Sequence, residues 1–199
     1  MNNLATDYVR AGQIEEGSKL LEKTLELRKN AIGADHPHTL GTMRSLAVSY
    51  NKLDRKPEAQ ELLEKALRGY KSKLGDDHPE TFAVTQQLGS LLIESDAVRA
   101  EQLIEQVFQH YKSSKPEDWL AYESQTLLGG AILNQDRADE AAIHLEEGYL
   151  GLKANVEKIP GGIRKPMLVD AVNRLIKLAE ATKDDTALTK WRDELGSYE

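Results

Sequence analysis

Apolar residues fall along this chain at spacings of three and four, in runs separated by short polar turns. Leu40, Met43, Leu46, Ala47 and Tyr50 make one such stripe, and Ala59, Leu62, Leu63, Ala66, Leu67 and Tyr70 make the next. That period places each set on one face of an α-helix. Between them Leu53 to Pro57 carries the break, and Pro57, lacking an N–H and fixed in φ, suits the first turn of the following helix. Ahead of the first stripe stands Gly33-Ala34-Asp35-His36-Pro37. There Gly33 can end a helix, Asp35 can cap the next and Pro37 suits its first turn. No segment alternates apolar and polar residues as a strand would. The predicted class is all-α.

The pattern recurs. IGADHPHTL, from Ile32, returns as LGDDHPETF from Leu74, so Gly33, His36, Pro37 and Thr39 map onto Gly75, His78, Pro79 and Thr81. The same 42-residue spacing carries Leu4, Ala5 and Tyr8 onto Leu46, Ala47 and Tyr50, and SKLLEKTLELR onto QELLEKALRGY. Two looser copies follow. One runs through Leu88, Gly89 and Leu92, then loses a residue near Asp96 before Ala100, Ile104 and Val107. The other runs through Leu128, Gly129, Ile132, Ala141, Leu145 and Gly148. Pro166 to Leu195 reads as one more helix pair, with Trp191 closing the terminal unit and Gly161-Gly162 as a flexible connector before it. The expectation is a single domain over 1–199, with units at 1–32, 33–74, 75–114 and 115–158 and a capping helix pair at 163–197.

A tight antiparallel helix pair needs small side chains where its backbones approach. Ala47, Ala59 and Ala66 supply them in the second unit, Ala5, Gly17 and Thr24 in the first, Gly89, Ala100 and Val107 in the third, and Gly129, Ala141 and Gly148 in the fourth. With Leu46, Tyr50 and Leu63 as the large fillers, this resembles the tetratricopeptide repeat. The longer period and the G-x-D-H-P-x-T linker resemble its kinesin-light-chain variety, against about 34 residues for the common form. The resemblance implies a right-handed superhelical solenoid of about five antiparallel helix pairs, and a role in binding other proteins. Residues 118–160 and the closing KWRDEL also resemble the C-terminal end of large bacterial serine/threonine kinases. Those kinases carry such repeats as an accessory interaction region. Met1 aligns with Met43, inside the first helix of its unit, so the opening linker of unit one is missing. Fraying of residues 1–10, or self-association through this end, is expected from that.

Composition narrows the chemistry. The 199 residues contain no cysteine, which excludes disulfides, thiolate catalysis and Cys-type zinc sites. A formal net charge of −7 disfavours binding to a nucleic-acid backbone. No apolar stretch is long enough to span a bilayer, so no membrane role and a cytoplasmic location are expected. His36, His38 and His78 match no metal-ligand spacing and read as capping and packing groups; His110 and His144 stand without a nucleophile or acid nearby. Gly129-Gly130 lies within a helical stripe and lacks the Lys-Ser/Thr of a phosphate loop. The glycine-rich loop, His-Arg-Asp and Asp-Phe-Gly motifs of a kinase are all absent. No catalytic residue, cofactor or metal is expected, and the reading is not an enzyme.

In such a solenoid the first helix of each pair lines the concave side. The residues flanking the packing leucines there are Asn2, Asn3, Thr6 and Arg10 in unit one, and Arg44, Ser45, Asn51 and Lys52 in unit two. Unit three offers Gln86, Gln87, Ser90 and Glu94, and unit four Glu123, Thr126 and Asn134. Amides and hydroxyls both donate and accept, which suits an extended peptide backbone, while Arg10, Arg44 and Lys52 can receive acidic groups. The expected function is a scaffold holding a peptide or protein segment in this groove. The alternative is a module that senses a peptide or small ligand and switches conformation.

Overall fold

The computed structural model describes residues 2–198, without the side chains of Asn2 and Arg10. Ten α-helices occupy them: α1 Asn2–Arg10, α2 Ile14–Ile32, α3 Pro37–Lys52, α4 Lys56–Leu74, α5 Pro79–Leu92, α6 Ala97–Ser114, α7 Trp119–Leu133, α8 Ala138–Ala154, α9 Gly161–Thr182 and α10 Asp185–Gly196. A short 3₁₀ turn, Val156–Lys158, precedes α9, and no strand occurs among the described residues. The helices fall into two compact units, residues 1–91 and 92–199.

The repeated linker has a physical reason at each position. Gly33 and Gly75 end their helices at φ 94° and 91°, where a side chain would be strained. Pro37 and Pro79 open α3 and α5. The cap is not Asp35. It is His36, whose Nδ1 accepts from the His38 N–H at 3.2 Å, and His78 does the same for Glu80 N–H at 3.1 Å. The imidazole lies next to the proline and reaches the orphan amide, whereas Asp35 is one residue too early. Thr39 and Thr81 are buried and donate to the carbonyls of Gly33 and Gly75 at 2.8 and 2.7 Å, folding the linker back on itself. In the fourth copy Asp118 takes the histidine's place and accepts from Leu120 N–H at 3.0 Å. Turns between the two helices of a pair place Gly12, Asp54 and Asp136 at equivalent positions, all with positive φ. Asp tolerates this region better than most residues.

Small residues sit where helices meet. Ala5, Ala47, Ala59, Ala66, Ala100 and Ala141 are essentially inaccessible. Val107 is also fully buried, so the larger side chain of the third copy is accommodated. A Cβ on Gly17 would stand 2.8 Å from the Ala5 carbonyl oxygen, and one on Gly129 2.7 Å from Leu145 Cγ. Leu21, Leu40, Leu88, Leu145 and Leu175 fill the space between, each worth about 1.5–3 kcal/mol in transfer from water.

The C-terminal helices depart from the expected connector. Gly161 and Gly162 are not a loop: they form the first turn of α9, with Pro160 at its N-cap and Pro166 inside it. The opening turn leaves its amides unpaired within the helix in any case, which makes it the cheapest place for weak helix formers such as these glycines. The last pair therefore spans α9 and α10, residues 161–196. Trp191 is buried against Tyr149, the rings 5.5 Å apart and nearly perpendicular. Tyr149 hydroxyl donates to Glu194, which also accepts from Lys153 at 2.7 Å and Tyr198 at 3.2 Å. Burial and the Glu194 carboxylate push the Tyr149 phenol well above its ordinary range, while Lys153, then Tyr149, holds Glu194 below the usual carboxylate range.

Candidate protein-interaction surface

In residues 1–91 the first-helix face is partly open. Asn2 and Arg10 lie outside the described side chains. Asn3 is exposed and Thr6 half-buried on α1; Asn51 and Lys52 are exposed on α3. Ser45 is half-buried and its hydroxyl donates to the Gly41 carbonyl at 3.1 Å. On α5, Gln86 and Gln87 are half-buried and Ser90 is exposed. Gln87 Oε1 is enclosed with no hydrogen-bond partner. Arg44 is not an open cation: its Nη1 lies 2.6 Å from Glu80 Oε2, joining α3 to α5. An incoming carboxylate must compete with Glu80, which leaves Lys52 as the described cation of this face without such a tie. The pattern in sequence missed Val48, which is half-buried on the same stripe. The 42-residue register finds it, because Val48 is the equivalent of Thr6 and Ser90.

Residues 92–199 differ. Thr126 is not a groove residue; it is 2% exposed, its hydroxyl donates to the Glu123 carbonyl, and its methyl group packs at Gly148 of α8. Every residue of α7 from Ser124 to Leu133 is buried. A helix apolar on all sides is stable only when enclosed. Here α6, α8 and α9 pack against α7. Arg174 of α9 crosses directly over Gly130, with its Cδ and Nε 2.9 Å from where a Cβ would stand. Its guanidinium is held by Asp170 at 2.7 Å. Glu123 is half-buried at one end of α7. Asn134 at the other end donates from Nδ2 to the Ile93 carbonyl at 2.8 Å. Glu94 pairs with Lys177 of α9 at 3.4 Å. The structure brings Glu94 and Asn134 together with Ser95, Asp136 and Lys177 around an open cleft of about 500 Å³. Lys177 carries no signal in the repeat pattern, since α9 lies beyond it.

A second cleft, about 380 Å³, opens between α2 and α4. Leu25, Leu46 and Leu62 line it, and Tyr50, Glu22 and Arg55 form its polar edge. Tyr50 donates to Glu22 at 2.9 Å, and the Arg55 guanidinium sits 3.7 Å above the Tyr50 ring. Burial and Glu22 raise the Tyr50 phenol, and Arg55 lowers the Glu58 carboxyl. Arg137 repeats the arrangement in the fourth copy: it meets Glu140 on its own helix and Glu101 on α6, as Arg55 meets Glu58 and Glu22. These are cross-braces between successive second helices. They present no nucleophile with an adjacent base. Among the described residues no three His, Asp or Glu converge on a metal-sized site, and no helix is long and apolar enough to cross a membrane.

Residues 1–72 match the tetratricopeptide repeat family model. The nearly identical TPR-like repeats assigned to a kinesin light chain of Podosopora anserina superpose with a TM-score of 0.74 at 22% identity, over 99% of this chain and 92% of that one. This chain has the tetratricopeptide-repeat fold. BtubC (BKLC) from P. vanneervenii gives a TM-score of 0.71 at 17% identity, over 98% of this chain and 76% of its own. MamA AMB-1 gives 0.59 at 21%, over 98% and 97%. No curated protein matches the chain in sequence. At these identities the likeness is one of fold. It leaves the choice of surface to the residues of this chain.

Proposed function

We propose that the chain is a non-catalytic scaffold that binds a peptide or protein segment on the first-helix face of residues 1–91. The observation that carries this is the contrast between the two units. The face of α3 and α5 keeps Ser45, Asn51, Lys52, Gln86 and Ser90 wholly or partly in solvent, whereas α7 is buried over ten consecutive residues. Amide and hydroxyl groups can pair with the backbone of an extended segment whatever its sequence, and Lys52 favours an acidic residue within it. The test is affinity capture with the wild-type chain beside Lys52→Glu combined with Gln86→Ala. Loss of specific partners in the variant, with its helix content unchanged, supports the assignment; identical sets of captured proteins refute it.

The resemblance of residues 118–160 to the repeat region of bacterial serine/threonine kinases supports a finer reading, in which this scaffold is the accessory region of such a kinase and works in the cytoplasm. Sequencing the encoding gene upstream tests it. Kinase His-Arg-Asp and Asp-Phe-Gly motifs in the same open reading frame are expected, and a stop codon immediately upstream refutes it.

A further inference from the structure

The outward side of α8 departs from its repeat equivalents. Aligning Ala141 with Ala100, Ala59 and Gly17 places Ile143 at the position of Gln102, Glu61 and Lys19, and Leu150 at that of Gln109, Arg68 and Glu26. All of these equivalents are exposed and all are polar. Ile143 and Leu150 are each 59% exposed, among the most exposed large apolar residues of the chain. Seven residues apart, they share one helical face and stand about 10 Å from each other along the axis.

Acidic groups frame the pair. Asp139 lies one turn before Ile143, and Glu146 lies between Ile143 and Leu150; both are exposed and neither has an ion pair among the described residues. The neighbouring cations are already engaged. Arg137 is held by Glu101 and Glu140, and Lys153 by Glu194. An apolar pair in an uncompensated negative frame complements a helix of opposite pattern.

We propose that the outward face of α8 docks an amphipathic helix of a basic partner protein, one carrying two large apolar residues about seven apart with Lys or Arg around them. Ile143 and Leu150 are the apolar anchors, while Asp139 and Glu146 select for positive charge. This surface is separate from the first-helix face proposed above, so either can fail without the other.

The probe is a fluorescein-labelled synthetic helical peptide of about 15 residues, with leucines seven apart and four flanking lysines, titrated into the full chain. Binding is expected, and Ile143→Lys with Leu150→Lys weakens it at least about tenfold. Asp139→Lys with Glu146→Lys also weakens it, and raising salt weakens the wild type more than this charge variant. The equivalent helices α2, α4 and α6 carry charged or amide residues at the anchor positions, so the variants fold; circular dichroism verifies this. No binding at about 1 mM peptide overturns the proposal, as does binding that both double variants leave unchanged. A wild-type chain that sediments as a dimer, is made monomeric by Leu150→Lys and ignores the peptide also overturns it, giving the face to a second copy.

Discussion

Replacing Gly148 by alanine tests the close approach of α7 and α8 directly. A Cβ there would stand 2.7 Å from Thr126 Cγ2, 3.0 Å from Thr126 N and 3.1 Å from the Tyr122 carbonyl oxygen. Favourable carbon–carbon contact lies near ~3.5–4.0 Å. Two of the three neighbours are backbone atoms of α7, so no side-chain rotation relieves them and the helices must part. Alanine gains about 1 kcal/mol over glycine in helix propensity. Overpacking of this kind costs about 1–3 kcal/mol. The net effect runs from break-even to a loss of about 2 kcal/mol. Gly162 on α9 is the control, because a Cβ there meets nothing within 4 Å. Gly162 stands in the opening turn of α9, where glycine costs little, so Gly162→Ala changes stability by only about a few tenths of a kcal/mol. At the upper end of the Gly148→Ala loss, roughly 2 kcal/mol divided by a urea m-value of roughly 2 kcal/mol/M separates the two midpoints by about 1 M. Both tryptophans, Trp119 and Trp191, lie in residues 92–199, so fluorescence follows the unit that carries both substitutions. A Gly148→Ala midpoint raised above that of the wild type would refute the packing argument.

Three further outcomes follow from the same structure. His36→Ala removes the acceptor of the His38 amide and lowers stability by about 1 kcal/mol, while Asp35→Ala changes it little; urea melts followed by far-UV circular dichroism distinguish the two. Glu194 has a lowered folded pKa, caused first by Lys153. Its contribution is complete above the unfolded value of about 4.3 and is lost as pH falls through the folded value. Glu194→Gln should therefore flatten that acid limb, and an unchanged pH profile would remove the ion pair from the stability of the α8–α10 contact. Arg137→Ala should lower the melting temperature more in low salt than in 1 M-range salt, since its Glu140 pair is solvent-exposed and its Glu101 pair only half-buried; a salt-independent loss would point to packing instead.

Much of the local structure was readable from residue spacing. The stripe from Leu40 to Tyr50 became α3, the Ala59 to Tyr70 stripe became α4, and alanines at 47, 59 and 66 are all but inaccessible. The linker reads as helix punctuation from its residues, but residue preference alone puts its cap one position early. Helical preference favours Asp for capping, and only the geometry beside Pro37 shows the imidazole reaching the amide. Gly161-Gly162 misled for a similar reason, since glycine is costly in mid-helix but inexpensive in an opening turn.

The surface was less legible. Register places Thr126 with Gln86, yet Gln86 is half in solvent and Thr126 is enclosed. Arg44 looks free in sequence but meets Glu80 on another helix, 36 residues later. Periodicity and side-chain size alone determined that this chain forms helices, where they turn and which residues they press together, because those choices are made between neighbours a turn or a hairpin apart. Which first helices stay open was decided only by the tertiary structure, because burial of α7 depends on α9, a helix outside the repeat pattern that lays Arg174 across Gly130.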